Sequence, residues 1–163
     1  MREWILLHYK VPREPSASRV YVWRKLKRIG AVLLHDAIWV LPSNPRTMEQ
    51  FQWLAAEIGE LEGEAMLWES RLIQPGQEEK LVQQFMTQVE KDYLQILAEL
   101  ESGSQGEPEL DLTALSKRYQ QTRQQDYFHS DLGQQVREAL LAASSSESQP
   151  KEVSRVEPGN ELE

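Results

Sequence analysis

The sequence contains no cysteine. Disulfides, thiolate metal sites and thiol redox chemistry are therefore excluded for this chain. It has no apolar run of membrane-spanning length. Met1-Arg2-Glu3 leads straight into strand-forming residues, with no signal-peptide pattern. A cytoplasmic protein with no membrane contact is the expectation. No P-loop, dinucleotide fingerprint or Ser/His/Asp spacing is present. No helix-turn-helix or zinc finger can be read either. Histidine is scarce, with three in 163 residues. His8 and His35, with Asp36 beside them, could meet across strands and hold a metal. Packed or turn histidines are commoner, and His129 reads as a helix-end residue, so neither a metal nor a cofactor is expected.

Aromatic and charged residues are present but unevenly placed. Every tryptophan lies at or before Trp68, and 40% of the chain is hydrophobic, so the main core belongs to the first half. The five tryptophans are assigned to that core at strand and helix spacing, not to a cofactor box. The net charge of −8 divides into +5 over residues 1–50 and −13 over the remainder. A basic face on an acidic protein points to an anionic partner, against the plainer reading of a solvated helix face.

The chain is organised around Arg19–Pro42. At a period of 3.6, Val22, Trp23, Leu26 and Ile29 share one side of a helix, with Tyr21, Arg24, Lys25 and Arg28 on the other. Ser16 and Ser18 are both candidate N-caps, and Gly30 sits where a left-handed C-cap residue is expected. Two short apolar runs, Ala31–Leu34 and Ala37–Leu41, read as strands joined at His35-Asp36. Trp4–Tyr9 is an earlier strand, apolar on both faces and so central. Asn44-Pro45 starts a second helix, with Thr47 and Gln50 as a competing capping box. Phe51, Leu54 and Ile58 lie at core spacing, and Ala65–Ile73 is the last strand.

This order predicts an α+β fold, a ferredoxin-like βαββαβ sandwich over residues 1–75 with both helices on one face of an antiparallel sheet. The other face requires cover from C-terminal helices or a second subunit, and a homodimer is expected. Residues 76–143 read as a helical extension forming a hairpin or bundle. It comprises a long helix from Gln77 to Leu100, a breaker at 101–109 and two further helices. From Ser144 the chain is Ser-, Glu- and Pro-rich with little to bury, so residues 144–163 read as a disordered tail.

Trp4-Ile-Leu-Leu, then Arg19-Val-x-x-Trp23-Arg24-x-Leu26-x-x-x-Gly30-Ala31, then Trp39-Val-Leu-Pro42, resembles the N-terminal domain of the ChrB family, bacterial chromate-resistance regulatory proteins. Phe51-x-Trp53-Leu54-Ala55-x-Glu57-Ile58, Gly63-Glu64-Ala65 and Asp126-Tyr-Phe128 agree, so the resemblance spans about residues 2–143. It implies a chromate-responsive transcriptional regulator or accessory subunit that binds DNA or an oxyanion. ChrB-type proteins commonly carry a second, C-terminal domain. Here a low-complexity tail stands in its place, so a separately encoded C-terminal ChrB domain is a candidate partner. A more distant similarity links the Gly30-Ala31 to Ala37-Ile-Trp-Val40 centre to the middle domain of PaaX-type repressors and to the small nuclease-like proteins of CRISPR adaptation. In the latter an Asp follows a Tyr at the end of the first strand. Here Lys10 follows Tyr9, and lysine cannot replace a carboxylate as a metal ligand. A non-enzymatic protein is therefore expected, with a metal-dependent nuclease as the alternative and an interaction module as a third reading.

Two sets of site residues follow from the residues themselves. Lys10, Arg13, Ser16, Ser18 and Arg19 surround the start of the first helix, where unpaired amides favour an oxyanion such as chromate. Arg19 could instead pair with a carboxylate such as Glu69. Arg24, Lys25, Lys27 and Arg28 form a basic stripe that could track DNA phosphates, or simply meet water.

Overall fold

The computed structural model describes residues 2–103 and 110–147. The first six elements are β1 (Trp4–Lys10), α1 (Ser16–Arg28), β2 (Val32–Leu34), β3 (Ile38–Pro42), α2 (Pro45–Glu60) and β4 (Glu64–Ser70). The strands form one sheet in the order β2-β3-β1-β4, and every neighbouring pair is antiparallel. The fold is α+β, as the sequence predicts, with β1 central. Leu7 pairs with Trp39 on one side and Leu67 on the other.

Each connection has a local cause. His35 and Asp36 both have positive φ, and Ala37 N–H donates to Leu34 C=O at 3.2 Å. That is the hydrogen bonding of a tight turn with two left-handed central residues, whose twist suits a hairpin. The two-strand reading of this stretch therefore holds. α2 starts at Asn44, not at Thr47. The Asn44 side chain accepts from Thr47 N–H at 2.9 Å, and Thr47 Oγ1 accepts from Asn44 N–H at 3.0 Å. Thr47 Oγ1 also donates to Pro42 C=O at 2.6 Å, which ties the helix start to the end of β3. α1 differs from expectation at its start. Its N-cap is Pro15, with no side-chain cap bond, so Ser16 and Ser18 lie inside the first turn and neither caps it.

At the other end of α1 the expected glycine stop is present. Gly30 N–H donates to Lys27 C=O and Ala31 N–H to Leu26 C=O, both at 3.1 Å, with Gly30 at φ +78°. This is the pairing of a Schellman motif.

Ile5, Leu7, Trp39 and Leu41 share the sheet face covered by α1 and α2, against Val22, Leu26, Phe51, Leu54 and Ile58. Trp4 lies on the opposite face and is covered by the C-terminal segment. Its ring stacks on Phe85 at 5.7 Å and meets Phe128 at 6.0 Å. Further along that face Met66 and Trp68 stay half exposed. Trp23, Trp53 and Trp68 are all at least half exposed, so only Trp4 and Trp39 are core tryptophans. The all-core assignment fails because the described residues leave Trp23 and Trp53 on their helices and Trp68 on its strand at least half exposed.

α3 (Gln77–Gly103) serves two cores. Leu81 and Phe85 enter the sheet core. Val89, Tyr93, Ile96 and Leu100 pack with Leu115 and Tyr119 of α4 (Leu112–Gln124) and with Val136 and Leu140 of α5 (Asp131–Glu147). The predicted breaker at 101–109 lies mostly outside the described residues, as does the predicted tail. α5 itself continues past Ser144. Ser145 and Ser146 donate through their hydroxyls to the carbonyls of Leu141 and Ala143, so the serine run forms part of the helix. Among the described residues no helix is long and apolar enough to cross a membrane.

Candidate functional site

A cleft of about 1090 Å³ opens where α1 meets the edge of the sheet. Its walls come from three places. The end of β1 and the following loop supply Tyr9, Lys10 and Arg13; α1 supplies Ser16, Arg19, Trp23 and Arg24; the β2–β3 hairpin supplies Asp36 and Trp39. Local rules put these groups together. The tight turn at His35-Asp36 brings Asp36 to the mouth. Gly63 lets the turn before β4 pass Lys10, since a Cβ there would lie 2.5 Å from the Lys10 carbonyl oxygen. One helical turn separates Arg19 from Trp23, which puts both over the same opening.

Of the residues predicted to hold an oxyanion, Lys10, Arg13, Ser16 and Arg19 line this cleft together. Ser18 does not; it is 9% exposed, turned into the fold two residues after Ser16. Arg24 joins the cleft instead of a separate basic stripe. Lys25 lies 3.7 Å from Glu57 of α2, and Tyr21 donates to the same carboxylate at 2.7 Å. Lys27 places its ammonium 5.7 Å from the Trp23 ring centre and 5.8 Å from that of Trp39. Arg24, Lys25 and Lys27 thus point to different surroundings. Lys25, Lys27 and Arg28 also occupy the last turn of α1, where cations complement the helix dipole. That is a structural reason for their presence.

Among the described residues Arg13, Arg19 and Arg24 enter no ion pair. Glu69, the anticipated partner of Arg19, instead accepts from the Ser43 hydroxyl at 3.2 Å. Lys10 is only loosely engaged, 3.9 Å from Glu64 with both side chains about four-fifths exposed. Among the described residues Asp36 is the one carboxylate lining the cleft. The cleft therefore carries a surplus of positive charge. Tyr9 forms part of its floor. Burial pushes its hydroxyl above the usual tyrosine value, while a hydrogen bond from Trp39 and the nearby charge of Arg19 oppose that rise. At neutral pH it is an un-ionised donor and acceptor.

Sequence reasoning missed Tyr9 and Trp39 as walls. The helical period does place Trp23 one turn from Arg19, close enough for its emission to report an occupant there, and it lines the cleft. Among the described residues, no group of three or more His, Asp or Glu side chains is arranged to hold a metal ion. His8, predicted beside His35, lines the cleft, whereas His35 does not.

The far end of α1 is held by the helical lobe. Gln125 Nε2 donates to Arg28 C=O at 2.6 Å, and the Tyr127 hydroxyl donates to Ile29 C=O at 2.5 Å. Arg46, near the start of α2, donates to Gln124 C=O at 3.5 Å. The helix that forms one wall of the cleft is thus anchored at its C-terminus by the α4–α5 connection.

Comparison with known proteins agrees with the residue pattern. No solved structure matches this chain. Protein ChrB of Cupriavidus metallidurans is 31% identical over 64 residues, a match covering 39% of this chain and 20% of that protein. The family described as Protein ChrB, N-terminal, matches residues 19–104, more than half of the chain. The chain belongs to the ChrB N-terminal family.

Proposed function

We propose that this chain is an oxyanion-binding regulatory or accessory module of chromate resistance. The observation that carries this reading is the gathering in one cleft of Arg13, Arg19 and Arg24, three arginines that enter no ion pair among the described residues. Unpaired guanidinium groups offer forked, charge-assisted donors to a tetrahedral dianion. The Ser16 hydroxyl adds a neutral donor. Family membership supplies the link to chromate. One carboxylate among four cations suits an anion better than a metal cation, which favours a binding role over a metal-dependent nuclease. Without cysteine, chromate is met here as an anion, not reduced by a thiol. Contact of α1 with DNA has less support, since Arg24 lines the cleft and Lys25 is paired with Glu57.

The test is calorimetric titration with chromate and sulfate, read together with tryptophan emission corrected for inner-filter absorption. Arg19→Ala should weaken chromate binding at least about tenfold, the loss of one charge-assisted contact. Absence of both heat and emission change on adding chromate would overturn the reading. So would metal-dependent cleavage of RNA or DNA that disappears in Asp36→Ala.

A further inference from the structure

We propose that the cleft takes a nucleotide, with its phosphate on Arg13, Arg19 and Arg24 and its base against Trp23. This deepens the anion-binding reading and rests on it. Size is the first reason. The cleft is open to solvent and measures about 1090 Å³, room enough to seat an organic ligand of a few hundred Å³. A tetrahedral oxyanion displaces only a few water volumes of about 30 Å³ each. An inorganic dianion would leave most of the space to water.

The aromatic lining is the second reason. The Tyr9 hydroxyl can donate to an inorganic oxyanion, but the ring faces of Tyr9, Trp23 and Trp39 add nothing to its recognition. Trp23 nevertheless keeps 50% of its surface exposed at the opening. A groove that combines cations with an available indole face is the arrangement by which proteins hold a phosphate and stack the attached base.

Asp36 is the third reason. A carboxylate opposes a fully ionised oxyanion, which has no proton to donate. A nucleotide carries donors as well, in its ribose hydroxyls and in the exocyclic amine of several bases. Asp36 from the β2–β3 turn can accept from such a group while the arginines hold the phosphate.

Calorimetry of the whole chain with AMP, GMP, inorganic phosphate and chromate tests the proposal. AMP and GMP carry one phosphate group, so their advantage over phosphate isolates the nucleoside. The nucleotides should bind at least tenfold tighter than phosphate. Trp23→Leu should weaken them about tenfold and leave phosphate and chromate unchanged, and Trp23→Phe should restore most of the loss. Arg19→Ala should weaken all four. Trp23 is half exposed, so circular dichroism of its variants should match the parent. If phosphate or chromate binds and the nucleotides bind no tighter, the proposal is overturned while the anion site stands. Equal weakening of nucleotides and inorganic anions by Trp23→Leu also overturns it. If no anion binds at all, both readings fall. Binding of a short single-stranded oligonucleotide without AMP or GMP also overturns the proposal, since the cleft would then recognise a strand and not a nucleotide.

Discussion

Gly30 is the residue on which the seam between sheet and helical lobe turns, and its replacement by alanine should be costly for two separable reasons. Its φ of +78° is a left-handed conformation, which costs an L-residue about 1–2 kcal/mol. A Cβ at this position would also lie 2.9 Å from Gln125 Cβ and 3.1 Å from Gln125 Cγ. Gln125 must then move, and its bond to Arg28 C=O, now 2.6 Å, is lost or stretched. That adds about 1 kcal/mol. Gly30→Ala should therefore destabilise the protein by about 2–3 kcal/mol in urea unfolding. In a Gln125→Gly background the steric part has no target, and the cost should fall to the backbone share. The coupling between the two positions should be about 1 kcal/mol. Equal costs of Gly30→Ala in the two backgrounds would refute the packing at this seam, whatever their size.

Two other predictions probe the same framework. Burial pushes the Tyr127 hydroxyl up to about 12, against a smaller opposing effect of Arg46. The unfolded chain loses this proton first, near pH 10, so the stability it contributes is intact below pH 10 and is lost as pH rises to about 12. Tyr127→Phe should flatten the alkaline decline of stability in that window without abolishing it, because burial and Asp126 also raise Tyr93. Glu62 ends α2 at φ +63°, its N–H donating to Gly59 C=O and the next N–H to Ile58 C=O. Glu62→Gly should raise stability by about 1 kcal/mol in the same urea assay, since glycine adopts this conformation without penalty.

Much of the fold was legible because short-range chemistry decides it. Asn44-Pro45 reads as a helix start, and Asn44 with Thr47 closes a reciprocal cap there. Gly30 reads as a stop and accepts the left-handed conformation. Phe51, Leu54 and Ile58 read as one buried face, and all three are buried. The start of α1 was not legible in the same way. Serine is a good cap in general, yet Pro15 holds that position and both serines fall inside the helix. The site was half legible. Loop cations near a helix start can be gathered from sequence, and Lys10, Arg13, Ser16 and Arg19 do share a cleft. Whether Arg24 or Lys25 joins them depends on how α1 is rotated over the sheet and where α2 lies. Glu57, 32 residues from Lys25, claims that lysine. A helical wheel contains neither fact.

The stretch matched by the family, residues 19–104, is not the unit that packs. It omits β1, the central strand, whose removal would leave β3 and β4 without the neighbour that joins them. It also stops before Tyr127 and Phe128, which close the sheet core from the α4–α5 connection. Phe128 meets Phe85 at 5.7 Å, Tyr127 meets Phe85 at 6.1 Å, and the Arg2 guanidinium lies 4.8 Å from the Phe128 ring. The sheet core therefore draws on residues from Trp4 to Phe128. Two of the three walls of the cleft inherit that dependence. β1 carries Tyr9 and Lys10 to its rim, and α1, which carries Arg19, Trp23 and Arg24, has its last carbonyls capped by Gln125 and Tyr127. The groups that line the cleft lie within the first 39 residues, but the geometry that holds them together is set by contacts nearly a hundred residues further along the chain.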